Sequence, residues 1–116
     1  MPDQDKRRSE RVVPFVSDEE VIVIHQEGGK NVIAKMMDLS DSGTLTYLLE
    51  EVDVSASVEL SIYHQGKVFR VPVTVVRKNG RLTAFEFANP SLEASREIQS
   101  KLIRMEVEWM RLSRRG

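Results

Sequence analysis

Between Val21 and Phe87 the apolar residues fall into six short runs, most of them alternating with polar ones. The runs are Val21–His25, Val32–Met37, Thr44–Leu49, Val58–Tyr63, Val68–Arg77 and Leu82–Phe87. In the fourth, Val58, Leu60 and Ile62 fall on one side and Glu59, Ser61 and Tyr63 on the other, the period of a half-buried strand. The connectors carry turn residues: Gly28-Gly29, Gln65-Gly66-Lys67 and Asn79-Gly80. Asn79-Gly80 predicts a type I′ hairpin, since both residues readily take the positive φ that this turn requires. Pro72 lacks a ladder donor and predicts a bulge or an edge in the longest strand. Six strands without helices between them predict a mainly β, antiparallel barrel or sandwich.

After Phe87 the period changes. Asn89 is a possible N-cap with Pro90 at the first helical position. Ile98, Leu102, Met105, Trp109 and Leu112 then recur every three or four residues, which predicts a helix over about 89–113. Two heptads are too few for a coiled coil. The stripe can lie across the strands, or part of it can form a dimer interface. Ile103 and Met110 lie beside it and add apolar surface. At the other end, residues 1–11 are polar, show no apolar periodicity and read as a flexible arm. The arm gives way to Val12-Val13-Pro14-Phe15, so 12–116 is read as one folded unit.

The chain has 116 residues, of which 41% are apolar and 30% charged, within the range of a globular domain. It has no cysteine, which excludes disulfides, thiolate catalysis and cysteine zinc sites. Apolar runs such as Val21-Ile22-Val23-Ile24 are far shorter than a membrane span, and the first residues do not form a signal peptide, so a cytoplasmic protein is expected. A net charge of −1 does not favour a nucleic-acid polymer as partner. An RNA-binding barrel using the basic arm and Arg111, Arg114 and Arg115 would want aromatics interleaved on its strands, and the chain holds only four Phe, two Tyr and one Trp. His25 and His64, the only histidines, read as surface residues. The carboxylates show no metal-loop spacing, and no phosphate-loop, nucleophile-elbow or zincin pattern occurs. An enzyme is not indicated, nor a metal or cofactor.

Two features remain. Lys6-Arg7-Arg8-Ser9-Glu10-Arg11 contains an RxxxR pair, Arg7 and Arg11. Each guanidinium can fork onto a phosphate, or onto the O6 and N7 edge of a guanine, and can stack on a base. On its own the segment also reads as a solvated basic arm. Asp38-Leu39-Ser40-Asp41-Ser42-Gly43 fits D-x-S-x-x-G between two strands. Asp38 can accept the N1 and N2 hydrogens of a guanine, Ser40 can donate or accept, and Gly43 permits positive φ and presents no side chain to a ligand. Asp, Ser and Gly also make ordinary turns.

Taken together, an RxxxR arm, this turn at a strand end, six strands and a closing helix resemble the PilZ domain family over about Lys6 to Leu112. The resemblance implies a six-stranded antiparallel β-barrel with a C-terminal helix that binds cyclic di-GMP, a bacterial second messenger with two phosphates and two guanines. It implies that Arg7 and Arg11 grip phosphates and guanine edges, with Asp38, Ser40 and Gly43 as the second wall and Lys6 and Arg8 as flanking contacts. Lys6, just before the pair, bears on whether one or two ligand molecules are held. A signal would pass to a downstream protein partner by ligand-induced change, in a monomer or homodimer. The alternative is an interaction module that uses the C-terminal helix without any nucleotide.

Overall fold

A computed structural model describes residues 20–115, with side chains through Arg111. The elements are β1 (Val21–His25), β2 (Val32–Leu39), β3 (Gly43–Leu48), β4 (Ser57–His64), β5 (Lys67–Asn79), β6 (Leu82–Phe87) and α1 (Leu92–Arg115). All six strands pair antiparallel and close into a barrel in the order β1-β2-β3-β6-β5-β4. Alternation along the strands fills the inside of this barrel. Ile22 and Ile24, Val58, Leu60 and Ile62, and Phe69, Val71 and Val73 are buried, whereas Lys35, Glu59 and Arg70 face out. The antiparallel barrel with its closing helix is therefore as expected.

The hairpin chemistry is distributed differently. Asn79 is the last paired residue of β5, opposite Leu82, and the loop is Gly80-Arg81. Only Gly80 has positive φ, at 65°, which is the pattern of a type II′ turn rather than type I′. The type I′ pattern occurs instead at Gln65 (φ 51°) and Gly66 (φ 77°), between the paired His64 and Lys67.

Pro72 causes no bulge, but it does sit at a local edge, the last residue of β5 before pairing with β6 begins at Val73. It sits in unbroken register with Glu59 of β4. Its carbonyl accepts Ala88 N–H at 2.8 Å, just past the end of β6, so the donor that proline lacks would also have faced the end of that strand. The register shift of β5 lies further on, between Val75 and Arg77.

The helix begins later than Asn89. That residue has φ 48°, outside the helical region, and Ser91 Oγ accepts Ala94 N–H at 3.0 Å as the N-cap. Ala94, Ile98, Leu102 and Met105 join the barrel residues in one continuous core. Trp109, on the same stripe, is half exposed, and no residue from Glu106 to Arg111 is buried. The stripe thus packs over its first half, and the helix then outruns the barrel. The side chain of Leu112 lies outside the described residues.

Polar contacts lock the helix down where β4 turns into β5. His64, read as a surface residue, is only 2% exposed, and its Nε2 lies 3.0 Å from Ser100 Oγ. Lys101, equally buried, donates from Nζ to the carbonyl of Tyr63 at 2.6 Å. His25 is the partly exposed histidine, with Nε2 2.7 Å from Ser61 Oγ.

A candidate ligand turn at one end of the barrel

The turn between β2 and β3 owes its geometry to a defect in strand alternation. Ala34 and Met36 face the core, and strict period two would put Asp38 there as well. Instead the β2–β3 register steps from Met36↔Thr46 to Asp38↔Leu45, leaving Met37 as an extra residue. This bulge rotates the strand, so Leu39 becomes the next core residue and the Asp38 carboxylate stays at the surface. Burying that carboxylate would carry a large desolvation cost, so the bulge and the aspartate are physically linked.

Hydrogen bonds then fix the aspartate in place. Its Oδ1 accepts Leu45 N–H at 3.0 Å, and its backbone carbonyl accepts the hydroxyl of the buried Thr44 at 2.6 Å. One residue further on, Ser40 turns inward and is fully buried. Ser40 N–H donates to the Gly43 carbonyl at 2.9 Å, while Ser40 Oγ accepts the N–H groups of Ser42 and Gly43, each at 3.2 Å. The hydroxyl is thus a template for the turn, satisfying donors that a two-residue loop would otherwise leave open.

Gly43 is explained by close approach rather than by left-handed backbone. Its φ lies outside the positive range, but a Cβ built on it would stand 2.1 Å from the Phe85 carbonyl oxygen. Only glycine lets β3 lie this near β6, where Gly43 pairs with Glu86. Phe87 N–H donates to the Ser42 carbonyl at 2.9 Å, so the turn is anchored to the end of β6, four residues before the Ser91 cap of α1.

The structure therefore brings Asp38, Ser40 and Gly43 together in one hydrogen-bonded hairpin. Arg7 and Arg11, with Lys6 and Arg8, lie outside the described residues. Topology still fixes where the chain enters the barrel. Val21 is paired with Lys35, and Glu20 Oε1 lies 3.7 Å from Lys35 Nζ, so β1 starts beside the Asp38 end of β2. Thr44 and Met37 were not singled out in the sequence, although both shape the site. One signal of the bulge was present: Met36 and Leu39 are core-type residues three apart in a strand whose period is two. Among the described residues no group of three or more His, Cys, Asp or Glu could hold a metal ion, and no helix is long and apolar enough to cross a membrane.

Solved structures share this architecture at low sequence identity. The PilZ domain of YcgR from Escherichia coli, solved with c-di-GMP, superposes with a TM-score of 0.79 at 14% identity, over 97% of this chain and all of that one. The PilZ domain of CeSA from a cellulose-synthesizing bacterium gives 0.67 at 17% identity, covering 84% of this chain and 99% of that one. YcgR of Escherichia coli in complex with c-di-GMP gives 0.66 at 20% identity, over 95% of this chain and 50% of that one. No curated protein matches the chain. The family model described as PilZ domain matches residues 5–104, a span that takes in the arginine pair, the β2–β3 turn and most of the helix. With the motif residues, the closed six-stranded barrel and the family match in agreement, this chain belongs to the PilZ domain family.

Proposed function

We propose that this protein is a receptor for cyclic di-GMP, bound between an N-terminal arm over residues 1–11 and the β2–β3 turn. The observation that carries the reading is the built turn itself, with Asp38 held at the surface at the end of the barrel where β1 is entered. Arg11 and Glu20 are nine residues apart, a length of chain that spans up to ~30 Å, so both arginines are within reach of the turn. The ligand is a dianion with two guanine edges. It calls for planar cationic forks, supplied by Arg7 and Arg11, and for an acceptor of guanine N–H groups, supplied by Asp38. Gly43 presents no side chain, and Ser40 holds the loop in shape. Lys6 and Arg8 add positive charge next to the pair.

Closure of the arm over the ligand would alter the surface at this end of the barrel. Because Ser42 is bonded to Phe87, the change lies next to the strand that leads into α1. A protein partner reading that surface would carry the signal onward to motility, biofilm or exopolysaccharide control in the cytoplasm. Ligand binding rather than catalysis is the activity this implies, with no metal or cofactor.

Calorimetric titration of cyclic di-GMP into the full chain tests the reading. Micromolar or tighter saturable binding is expected, with a stoichiometry that gives the number of ligand molecules. The Arg7→Ala/Arg11→Ala protein should not bind. Arg11→Ala alone should lose ten- to a hundredfold in affinity, about 1–3 kcal/mol. Absence of binding to the wild type would overturn the reading. A nucleotide-independent interaction module would then be favoured by the half-exposed Trp109 on the helix.

A further inference from the structure

The outer face of the barrel carries a shelf that starts at the β2–β3 turn. Residues opposite one another on antiparallel strands share a face, so the rung through Asp38 runs on to Leu45, Ala84 and Arg77. The next rung holds Lys35, Tyr47 and Leu82. Tyr47 lies two residues along β3 from Leu45, which places its Cα about 8 Å from that of Asp38. Beyond the aspartate the shelf thus has a floor of Leu45 and Ala84, an aromatic ring along one side and a guanidinium at its far end.

The ring is set up for stacking. Tyr47 is 39% exposed, and the Arg81 guanidinium lies 5.9 Å from its ring centroid, within cation–π reach. Arg81 therefore steadies the ring while leaving much of its surface open. The charges along the shelf say which chemistry fits it. Lys35 has a carboxylate nearby, Glu20 at 3.7 Å, but among the described residues no carboxylate pairs with Arg77 or Arg81. On the other side of Asp38 the exposed Glu86 faces outward opposite Gly43. Positive charge is thus concentrated toward Tyr47 and negative charge toward Glu86, so an anion lying on Asp38 is drawn toward the ring. A purely apolar partner would leave two guanidiniums to be desolvated without compensation. A nucleic-acid polymer would call for a longer basic track than two arginines. One aromatic face flanked by two cations suits a compact, doubly anionic purine nucleotide.

We propose that Tyr47, steadied by Arg81, is the stacking platform for one guanine of cyclic di-GMP while Asp38 holds the edge of the other, with Arg77 supplying charge to the phosphates between them. The inference rests on the cyclic di-GMP reading and adds to the site a part that lies outside both sequence motifs. The aspartate reads a guanine by its edge, and Tyr47 adds a face on which the second ring is desolvated.

Calorimetric titration of cyclic di-GMP into full-length variants tests the platform. Tyr47→Phe keeps the ring and should bind within about twofold of the wild type, whereas Tyr47→Leu keeps only apolar bulk and should lose at least about fivefold in affinity. Arg77→Gln should weaken binding and flatten its dependence on salt. Ile33→Ala, at an exposed position one rung beyond Tyr47, should leave affinity unchanged. Stacking is read directly in a Tyr47→Trp/Trp109→Phe protein, whose single indole should be strongly quenched at saturation, while emission from Trp109 in the wild type should change little. If the wild type binds and Tyr47→Leu binds equally well, the platform is overturned and the receptor reading stands. An unquenched indole in a variant that still binds would overturn it too. A wild type that does not bind would overturn both readings.

Discussion

Gly43 and Asp38 show how single residues in a turn answer to packing as much as to chemistry. At Gly43 the constraint is the Phe85 carbonyl, which a methyl group would overlap at 2.1 Å. The obstacle is backbone inside a closed barrel, so relief requires β3 and β6 to separate. Gly43→Ala is therefore expected to cost at least about 2 kcal/mol, visible as a lower urea midpoint. An unchanged midpoint would mean that the two strands are freer to move than their register indicates. Because the same strands hold Ser42 against Phe87, any affinity lost in this variant would report turn geometry and not a missing ligand contact. Asp38 makes the complementary point, since its exposure depends on Met37, a residue without polar chemistry of its own.

Individual elements were legible to the extent that their determinants were local. Alternating residues located all six strands, because burial on one face of a strand writes period two directly into the sequence. Turn type was less legible. Asn79-Gly80 favours type I′ intrinsically, but the register of β5 with β6, set by core residues, keeps Asn79 in the strand. The left-handed position fell to Gln65, a residue with no preference for it. Gln65→Asn, which keeps an amide and tolerates positive φ better, is expected to stabilise the protein by up to about 1 kcal/mol, seen as a higher melting temperature. A lower one would show that the longer side chain matters more than the backbone. The helix start was missed for a similar reason: Asn89 and Ser91 are both good caps, and only the path of the chain from β6 chooses between them. Burial of His64 and Lys101 was illegible, because it depends on where α1 comes to rest. Of the candidate site, the residues of the turn could be read in sequence, whereas the bulge that positions them could not be read without the register.

At the scale of the whole molecule, barrel and helix form one core. Ile98 is buried at their junction, so Ile98→Ala should destabilise the protein by about 2–5 kcal/mol in a single cooperative transition. Two separate transitions by circular dichroism and Trp109 fluorescence would instead show that the helix detaches on its own. The closed strand order has one more consequence. Among the described residues every strand of the barrel has a neighbour on both sides for part of its length, and the longest stretch paired on one side only is Lys67–Val71 of β5, ahead of Pro72. A barrel built this way leaves an extended peptide little backbone to pair with by β-augmentation. On the proposed function, a partner of the liganded state would read chiefly side chains, at the rim around the β2–β3 turn or along the helix. The message proposed for it would then be written in surface charge and shape, and substitutions there would redirect it while leaving the barrel intact.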